Sequence, residues 1–372
     1  METYIQQALF LLFQVCFISQ LYYLVGIHSK LASYKPVPGL LPVNIPVSVI
    51  IAARNEVANL RYNLVQILTQ NYPDFEVVVV NDCSTDGSDM LLLEMQAAYP
   101  NLKVVTITEH QRYKTGKKFA LTLGIKAAKN EHLLFTDADC TPATDNWIAG
   151  MMANFTGSTQ IILGFSPYNK TGNFLNPFIR FETVKTAMSY LSSALKADPY
   201  MGVGRNLAYT KTLFFSNKGF ASHMHVLPGD DDLFVNENAT PDNTTIEIHP
   251  DAFVFTDAKT SLGGWFRQKK RHMGVGKLYK SKHRRMLSWD AVSGFLFYTL
   301  LILCFVFKFE PLLALGLYLF RLMTQILIYS KIFKTLNAKD LLFYLPVFDV
   351  IYYVYLNVFG LVGTFIKTTQ WK

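Results

Sequence analysis

The sequence predicts an α/β domain with a doubly wound, mostly parallel sheet, flanked on both sides by transmembrane α-helices. Between residues 46 and 285, runs of β-branched residues alternate with segments of helical spacing. Long uncharged apolar segments lie before and after that stretch. Hydrophobic residues make up 51% of the 372 positions, which is unusual for a soluble protein of this length.

The first element is an apolar segment near the N-terminus. Residues 5–27 include no charged side chain, and about 23 helical residues suffice to cross a hydrocarbon core of roughly 30 Å. A cleaved signal peptide opens on a basic segment, whereas this chain opens Met-Glu-Thr. We therefore expect a retained anchor over residues 1–30. Lys30 and Lys35 follow it, which predicts that residues 46–285 lie in the cytoplasm.

Three apolar stretches near the C-terminus, residues 291–307, 311–330 and 341–366, predict two or three further spans within residues 287–372. The short polar segment Lys308 to Pro311 fits a tight hairpin between two of them. Arg321 and Asp349 lie inside these stretches and either serve a function or pair with one another. The chain is thus expected to be a multi-pass protein of the inner (plasma) membrane.

Several site classes are absent from the sequence. None of the four cysteines forms a CxxC pair, so reduced thiols and no zinc site are expected. No Walker sequence is present, and no GxGxxG follows the first predicted strand. A bound phosphate would therefore have to be held by a metal ion and by basic side chains.

The middle of the chain supplies the predicted sheet. Strands are predicted at residues 47–53, 75–82, 102–108 and 132–139, and helices at residues 56–70, 87–99 and 117–130. In such sheets, ligands bind beyond the carboxyl ends of the strands. The side chains at these ends are therefore the first candidates for a site.

Acidic and polar residues follow three of the predicted strands, and they comprise Asn55, Glu56, Asp82, Asp86, Asp137 and Asp139. Asp137 and Asp139 would repel each other unless a divalent cation such as Mg²⁺ or Mn²⁺ bound to their oxygens. The alternative is a solvated acidic turn. The segment from Asn81 to Ser88 also fits ordinary turn and helix-cap chemistry.

Basic residues occur in two places. Lys114, Lys117 and Lys118 surround Gly116 and either hold a diphosphate or begin a solvated helix. Residues 259–285 carry ten lysines and arginines and no acid, which suits a collar on anionic lipid. Residues 176–191 predict a helix, either in a core or, as we favour, at the membrane surface.

Six motifs in order resemble an inverting family 2 glycosyltransferase of the GT-A fold that is anchored in a membrane. They are "AARNEVANL", "VVVVNDCSTDGS", "KTGKKFAL", "TDADC", "PGDDDLF" and "QKKRH". The resemblance covers residues 46–285. It implies transfer of a sugar from a nucleotide sugar, such as a UDP- or GDP-sugar, to a lipid or glycan acceptor. Membrane lipids are further expected partners, and nucleic acid is not.

The resemblance also implies roles for donor-binding residues. Asp82 would bind the base or ribose of the nucleotide, with Asn55, Glu56 and Asp86 close to it. Asp137 would lie on the nucleotide side, and Asp139 would bind Mg²⁺ or Mn²⁺ that bridges the diphosphate. Lys117 belongs to the basic segment that would meet the donor phosphates.

The remaining roles concern catalysis. Asp230 or Asp231 would be the general base, and alignment from Asp232 favours Asp230. Gln268 and Arg271 would close over the diphosphate and the acceptor entrance. His272 stands where the family motif ends in tryptophan, which weakens a prediction of processive synthesis.

Other interpretations stay open at the level of sequence. Residues 201–215 resemble the family's acceptor-side segment, although Gly202, Gly204 and Arg205 could equally shape a loop. A membrane-tethered nucleotidyltransferase would need a glycine-rich basic signature after the first strand, and "AARNEVANL" lacks one. A transporter or an inactive scaffold would use the acidic turns only structurally.

Overall fold

The computed structural model describes residues 2–36, 44–108, 116–226 and 228–365, apart from the side chains of residues 2–3, 271–273 and 362–365. The described chain forms two compact units. The sheet unit comprises Lys35–Gly172 and Ala197–Lys259, and the helical unit comprises the described parts of Met1–Tyr34, Asn173–Lys196 and Thr260–Lys367. Each unit is described by itself below.

The sheet unit contains a seven-stranded and a two-stranded sheet. The larger sheet is formed by β1 (Val47–Ala53), β2 (Phe75–Asp82), β3 (Leu102–Ile107), β4 (His132–Phe135), β6 (Ile161–Gly164), β7 (Leu207–Thr210) and β8 (Thr244–Glu247). Their order across the sheet is β3-β2-β1-β4-β7-β6-β8. The smaller sheet pairs β5 (Cys140–Pro142) with β9 (Val254–Thr256).

The sheet is mostly parallel, as the sequence predicts. β1 pairs in parallel with β2 and β4, and β2 with β3, while β7 is antiparallel to both β4 and β6. Every residue of β1 is buried, which explains its continuous β-branched and small apolar sequence. The fourth predicted strand is shorter than expected, because β4 ends at Phe135 and the chain turns before β5.

The α-helices of the sheet unit are α3 (Val57–Leu68), α4 (Ser88–Ala98), α5 (Lys117–Ala127), α6 (Trp147–Met152), α8 (Lys211–Ser216) and α9 (Asp232–Asn238). The helices predicted before β2, β3 and β4 are therefore present. α5 packs closely on the sheet at Gly124, where an added Cβ would lie 2.8 Å from Ile50 and 2.9 Å from Val80. This packing holds α5 against β1 and β2, and the first residue of the helix, Lys117, reaches Asp137 just beyond the carboxyl end of β4.

The helical unit comprises α1 (Glu2–Leu21), a π-helical segment (Tyr22–His28), α2 (Ser29–Ser33), α7 (Asn176–Leu195), α10 (Leu262–Met273), α11 (Ser281–Val306), α12 (Pro311–Thr335) and α13 (Leu345–Phe365). Four helical stretches are long and apolar enough to cross a membrane. They are Tyr4–Ser33, Ser281–Val306, Pro311–Thr335 and Lys339–Leu361.

Helix α7 differs from the interpretation that the sequence favoured. Thirteen of its twenty residues are buried, among them Arg180, Glu182 and Lys185. Arg180 forms a bidentate pair with Asp340, with distances of 2.7 and 2.9 Å. The alternative of a core helix therefore describes α7 better than a helix lying on a membrane surface.

Charged side chains inside the helical unit pair with one another. The guanidinium of Arg321 donates to Asp349 at 2.9 Å, so of the two alternatives that the sequence left open, the structure shows the pairing. Asp349 also accepts from Lys185 at 3.2 Å and from Tyr298 at 2.7 Å. Asp349 is fully buried, and this cluster satisfies its charge.

Candidate active site

The loops after β1 and β2 are joined to each other by hydrogen bonds. The backbone N–H of Asn55 donates to Ser84 at 2.9 Å, and the N–H of Thr85 donates to the Asn55 side chain at 2.8 Å. Asn55 and Cys83 have φ values of 55° and 54°, a left-handed region that asparagine tolerates better than most residues. The two loops therefore form one edge of the site.

Asp86 fixes the same edge. One carboxylate oxygen accepts from the N–H of Val57 at 2.9 Å, and the other accepts from the backbone and hydroxyl of Ser88 at 3.0 and 2.6 Å. Burial raises the pKa of Asp86, but the hydrogen bonds from Ser88 and Val57 outweigh it and lower the pKa. Asp86 thus clamps the starts of α3 and α4, and its predicted contact with the nucleotide stays a prediction.

Asp82 lies at the end of β2 and is fully buried. Within the described chain, no N–H or O–H group donates a hydrogen bond to either of its oxygens, and Arg54 lies 3.8 Å away. Burial raises the pKa of Asp82, although Arg54 and the Cys83 thiol partly oppose the shift. A buried carboxylate without such donors is suited to accept hydrogen bonds from a ligand.

Glu56 precedes α3, and its side chain accepts a short hydrogen bond from Asn59. Lys118 donates to the carbonyls of His223 and Val226 at 2.7 and 3.0 Å. Burial lowers the pKa of Lys118 to about 8. Lys118 therefore anchors the loop that leads towards Asp230.

Asp137 and Asp139 lie in the turn between β4 and β5. The backbone of this turn is fixed, because Asn63 donates to the carbonyl of Ala138 at 3.0 Å and Thr256 donates to that of Asp139 at 3.1 Å. Side-chain ligand atoms of Asp137, Asp139 and Cys140 lie within 4.8 Å of one another. Desolvation and the charge of Asp137 raise the pKa of Asp139, although its side chain still reaches solvent.

Lys117, the first residue of α5, joins this turn to a second acidic motif. Its ammonium lies 2.9 Å from Asp137 and 3.0 Å from Asp230. Burial alone would lower the pKa of Lys117, but Asp137, Asp230 and Asp231 raise it well above its usual value. Lys117 is therefore a permanent cation between the two carboxylates.

Asp230 and Asp231 differ in their partners. Asp231 caps α9 by accepting from the N–H of Asp232 at 2.8 Å, and it accepts from the N–H of Gly204 at 2.7 Å. Asp230 is 9% exposed and faces Lys117. Burial raises the pKa of Asp230. Lys117 lowers it, but the Asp231 and Asp137 carboxylates raise it further, so the pKa lies above its usual value. Both aspartates line the site, but Asp231 is held by backbone N–H groups, whereas Asp230 pairs with Lys117.

A pocket brings these groups together. It is lined by Lys117, Leu121, Phe135, Thr136, Asp137, Gly204, Leu207, Tyr209, Asp230 and Asp231. Sequence reasoning missed Thr136 and Tyr209, because both lie in apolar strand sequence that reads as core. Only their positions at the same sheet edge as Asp137 could have indicated them. Gly204, which the sequence left open between two roles, holds Asp231 here.

Arg205 was likewise left open. Its guanidinium stacks over the ring of Tyr168 at 4.7 Å and donates to the carbonyl of Ser166 at 3.2 Å. Its positive charge partly opposes the raised pKa of Asp139. Arg205 therefore belongs to the electrostatic surroundings of the β4–β5 turn.

Three predicted residues are not described as part of this group. Lys114 lies outside the described residues, and so does the side chain of Arg271. Gln268 belongs to α10 in the helical unit. Their predicted roles stay predictions.

Residues 48–222 match the family model described as glycosyl transferase family 2. Over 120 residues the chain is 32% identical to glycosyltransferase AglE of Haloferax volcanii, which covers 32% of this chain and 38% of AglE. Over 143 residues it is 32% identical to the probable glycosyltransferase YdaM of Bacillus subtilis, covering 37% and 34% respectively. The matches thus span little more than a third of these curated relatives.

The fold is similar to that of a mannosyltransferase from Pyrobaculum calidifontis whose structure was solved with GDP-Man and Mn²⁺. The TM-score is 0.59, with 17% identity over 95% of this chain and 98% of that one. This likeness concerns the fold alone, and it agrees with the GT-A fold predicted from the motifs. Residues 48–222 thus match the family 2 glycosyltransferase model, in agreement with the family that the sequence motifs resemble.

Proposed function

We propose that the chain is a membrane-bound enzyme that transfers a sugar from a nucleoside-diphosphate sugar to an acceptor hydroxyl with inversion of configuration. The observation that carries this proposal is that Asp137 and Asp230 both contact the Lys117 ammonium, at 2.9 and 3.0 Å respectively. A donor-side carboxylate and a candidate base thus lie in one pocket at the carboxyl ends of the strands.

The residues fit a divalent cation such as Mg²⁺ or Mn²⁺. Asp137 and Asp139 offer carboxylate oxygens, the ligands that these hard cations prefer. Cys140 is buried, and burial raises the pKa of its thiol, so it stays protonated and is a poor ligand for either ion. When bound, the cation would neutralise charge on the departing diphosphate. Asp139 reaches solvent and is the better placed of the two to meet an incoming cation.

The nucleoside would lie along the edge formed by the β1 and β2 loops. Asp82 has buried oxygens suited to accept hydrogen bonds from ribose hydroxyls or a base N–H group. Asn55 and Asp86 hold the loops on either side of it. UDP- and GDP-sugars both offer such donor groups, so this edge is consistent with either.

Asp230 would act as the general base. It would take the proton of the acceptor hydroxyl as that oxygen forms a bond to the anomeric carbon. The bond from that carbon to the diphosphate oxygen breaks in the same step, with the leaving group on the opposite face. A single displacement of this kind inverts the anomeric configuration and needs no covalent nucleophile.

We further propose a multi-pass arrangement in the plasma membrane with the sheet unit in the cytoplasm. The four apolar helices and the basic residues near them support this. A lipid or lipid-linked glycan acceptor suits a membrane enzyme. In intact cells, a thiol reagent that does not cross membranes should label Lys308→Cys, in the hairpin between α11 and α12, but not Glu94→Cys, on exposed α4. The reverse pattern would show that the orientation is wrong.

The test of the function begins with purified full-length protein and a panel of UDP- and GDP-sugars, each with and without Mn²⁺. We expect one donor to raise the thermal unfolding temperature only when Mn²⁺ is present. That donor should then deliver its sugar to a membrane lipid extract. If no sugar of the panel is hydrolysed or transferred, the proposed activity is wrong.

A further inference from the structure

Lys117 holds a position that the donor-binding role predicted from its sequence does not explain. Its ammonium contacts two carboxylates at once, Asp137 at 2.9 Å and Asp230 at 3.0 Å. Asp137 follows β4 and Asp230 precedes α9, so Lys117 connects two motifs that are far apart in sequence. The side chain is 18% exposed, so bulk solvent weakens these contacts little.

The charge balance of the pocket explains why such a cation is needed. Asp137, Asp230 and Asp231 line the pocket, and among the described lining residues Lys117 is the basic one. Carboxylates held close together in a partly buried site repel each other, which disfavours their ionised forms. Lys117 therefore stabilises the pocket while no divalent cation is bound.

The same contact creates a competition. Asp137 offers a ligand atom within 4.8 Å of one from Asp139, so a divalent cation held by both would approach the oxygens that Lys117 neutralises. A monovalent ammonium and a divalent ion repel each other at such distances. The lysine stem is flexible, whereas hydrogen bonds fix the backbone of the β4–β5 turn. Lys117 is therefore the partner that moves.

We propose that Lys117 is a resident counter-ion that occupies Asp137 until a divalent cation binds, and then remains paired with Asp230 alone. This inference rests on the proposed function, since it assumes that Asp137 and Asp139 bind the metal. In this role Lys117 is a positioning residue. It keeps Asp230 ionised, and metal binding frees one of its N–H donors to face the pocket.

The inference predicts an effect opposite to that of an ordinary binding residue. Removing the Lys117 charge should strengthen the binding of a divalent cation, because the competing cation is gone. The probe is Mn²⁺ alone, titrated into the full-length protein in detergent and followed by the electron paramagnetic resonance signal of free Mn²⁺. We expect Lys117→Met to bind Mn²⁺ about tenfold more tightly than the wild type.

Two variants separate charge from structure. Lys117→Arg keeps the cation and should bind Mn²⁺ within about threefold of the wild type. Lys129→Met removes a lysine of the same unit whose pair with Asp74 is solvent-exposed, at 3.7 Å, and should change nothing. If Lys117→Met fails to fold in a thermal unfolding assay, Lys117→Gln replaces it with the same expectation.

Unchanged or weaker Mn²⁺ binding by the folded neutral variant would overturn the inference, as would equal tightening by Lys117→Arg. Absence of Mn²⁺ binding in both wild type and variant would also overturn it. The sugar-transfer assay reports separately on the proposed function. The wild type could transfer no sugar while Mn²⁺ binding still tightens on loss of Lys117. That result would support the counter-ion role of Lys117 and contradict the proposed transferase activity.

Discussion

At the scale of single residues, two neighbouring aspartates have distinct tasks. Both oxygens of Asp231 accept backbone N–H bonds, one from Asp232 and one from Gly204. Asp230 faces the pocket, where its one ion-pair partner among the described residues is Lys117. The sequence motif favours Asp230 as the base over Asp231, and that assignment stays a proposal, which these contacts support.

We expect Asp230→Asn to lower kcat by about 10²–10⁴, the usual contribution of a positioned proton acceptor. Donor affinity should change little, because the amide keeps the shape of the side chain. Asp231→Asn is the matched variant and should lower the stability of the protein by about 1 kcal/mol or less while sparing most of the turnover. Parallel measurements of transfer and donor binding decide this. A loss of turnover under tenfold in both variants would show that the motif is not catalytic.

The pH dependence of the reaction follows from the surroundings of Asp230. Burial, Asp231 and Asp137 raise its pKa above 3.8 against the effect of Lys117. A base must be deprotonated, so kcat/KM should fall as pH drops through this raised pKa. Loss of the Lys117 charge should move that acid limb to still higher pH. A limb that stays in place in Lys117→Met would contradict the assignment of Asp230.

At the scale of elements, the site depends on how loops are joined. Asp86 accepts hydrogen bonds from residues that begin two different helices, Val57 in α3 and Ser88 in α4. Asn55 adds a bond to the β2 loop. These contacts join two separate strand ends into one edge, where we propose that the nucleotide binds.

Replacing Asp86 by alanine should lower the stability of the sheet unit by about 1–2 kcal/mol, because it removes the cap of a helix and a bond between loops. Nucleoside-diphosphate affinity should fall as well, since the edge around Asp82 loosens. The matched control is Asp89→Ala, an exposed acid in the first turn of α4. Chemical unfolding and isothermal titration with UDP and GDP measure both effects. Equal stability and equal nucleoside-diphosphate affinity of the two variants would show that Asp86 does not hold the two loops together.

The elements also show what sequence patterns can predict. Strands β1 to β4 and the helices between them follow from periodicity and β-branched runs, because their burial is continuous along the chain. β7 was not predicted. Its four residues, Leu207–Thr210, insert antiparallel beside β4, and short apolar runs carry no sign of strand order. Tyr209 is consequently missed as a pocket residue, since its place depends on that distant pairing.

Within the site, too, residue types can be predicted from the sequence, whereas contacts between distant segments cannot. The motifs identify Asp137, Asp139 and Asp230 as candidates, because residue type and position at a strand end are visible in sequence. The link through Lys117 is not visible, since it joins residues from three separate motifs. Likewise, the cap formed by Asp231 depends on Gly204, which lies 27 positions earlier.

At the scale of the whole molecule, the helical unit is held together by buried charge. Lys185 donates to Asp349 at 3.2 Å and to Tyr329 at 2.8 Å, and Arg321 donates to the same carboxylate. Lys185 comes from α7, a segment that lies between the two parts of the sheet unit in the sequence. Asp349 is thus paired with two cations, which argues for a structural task rather than an ion pathway.

Breaking this cluster should be costly. Lys185→Met takes from Asp349 one of its two cationic partners and from Tyr329 its donor. It should destabilise the protein by about 2–3 kcal/mol, the usual cost of leaving buried polar groups without a hydrogen bond. The matched variant Lys196→Met removes an exposed lysine that bonds Tyr22 at 2.7 Å, and its effect should be within about 1 kcal/mol. Thermal unfolding in detergent compares them. Similar midpoints for the two variants would show that the cluster does not hold the helices together.

The central claim is that sugar transfer depends on a divalent cation held at the turn between β4 and β5. The most direct measurement compares Mn²⁺-dependent donor binding and turnover in wild type and Asp139→Ala, with and without excess EDTA. Because Asp139 offers its oxygen next to Asp137 and still reaches solvent, the variant should lose both donor binding and turnover, as should wild type in EDTA. Full turnover by wild type in excess EDTA would contradict the account.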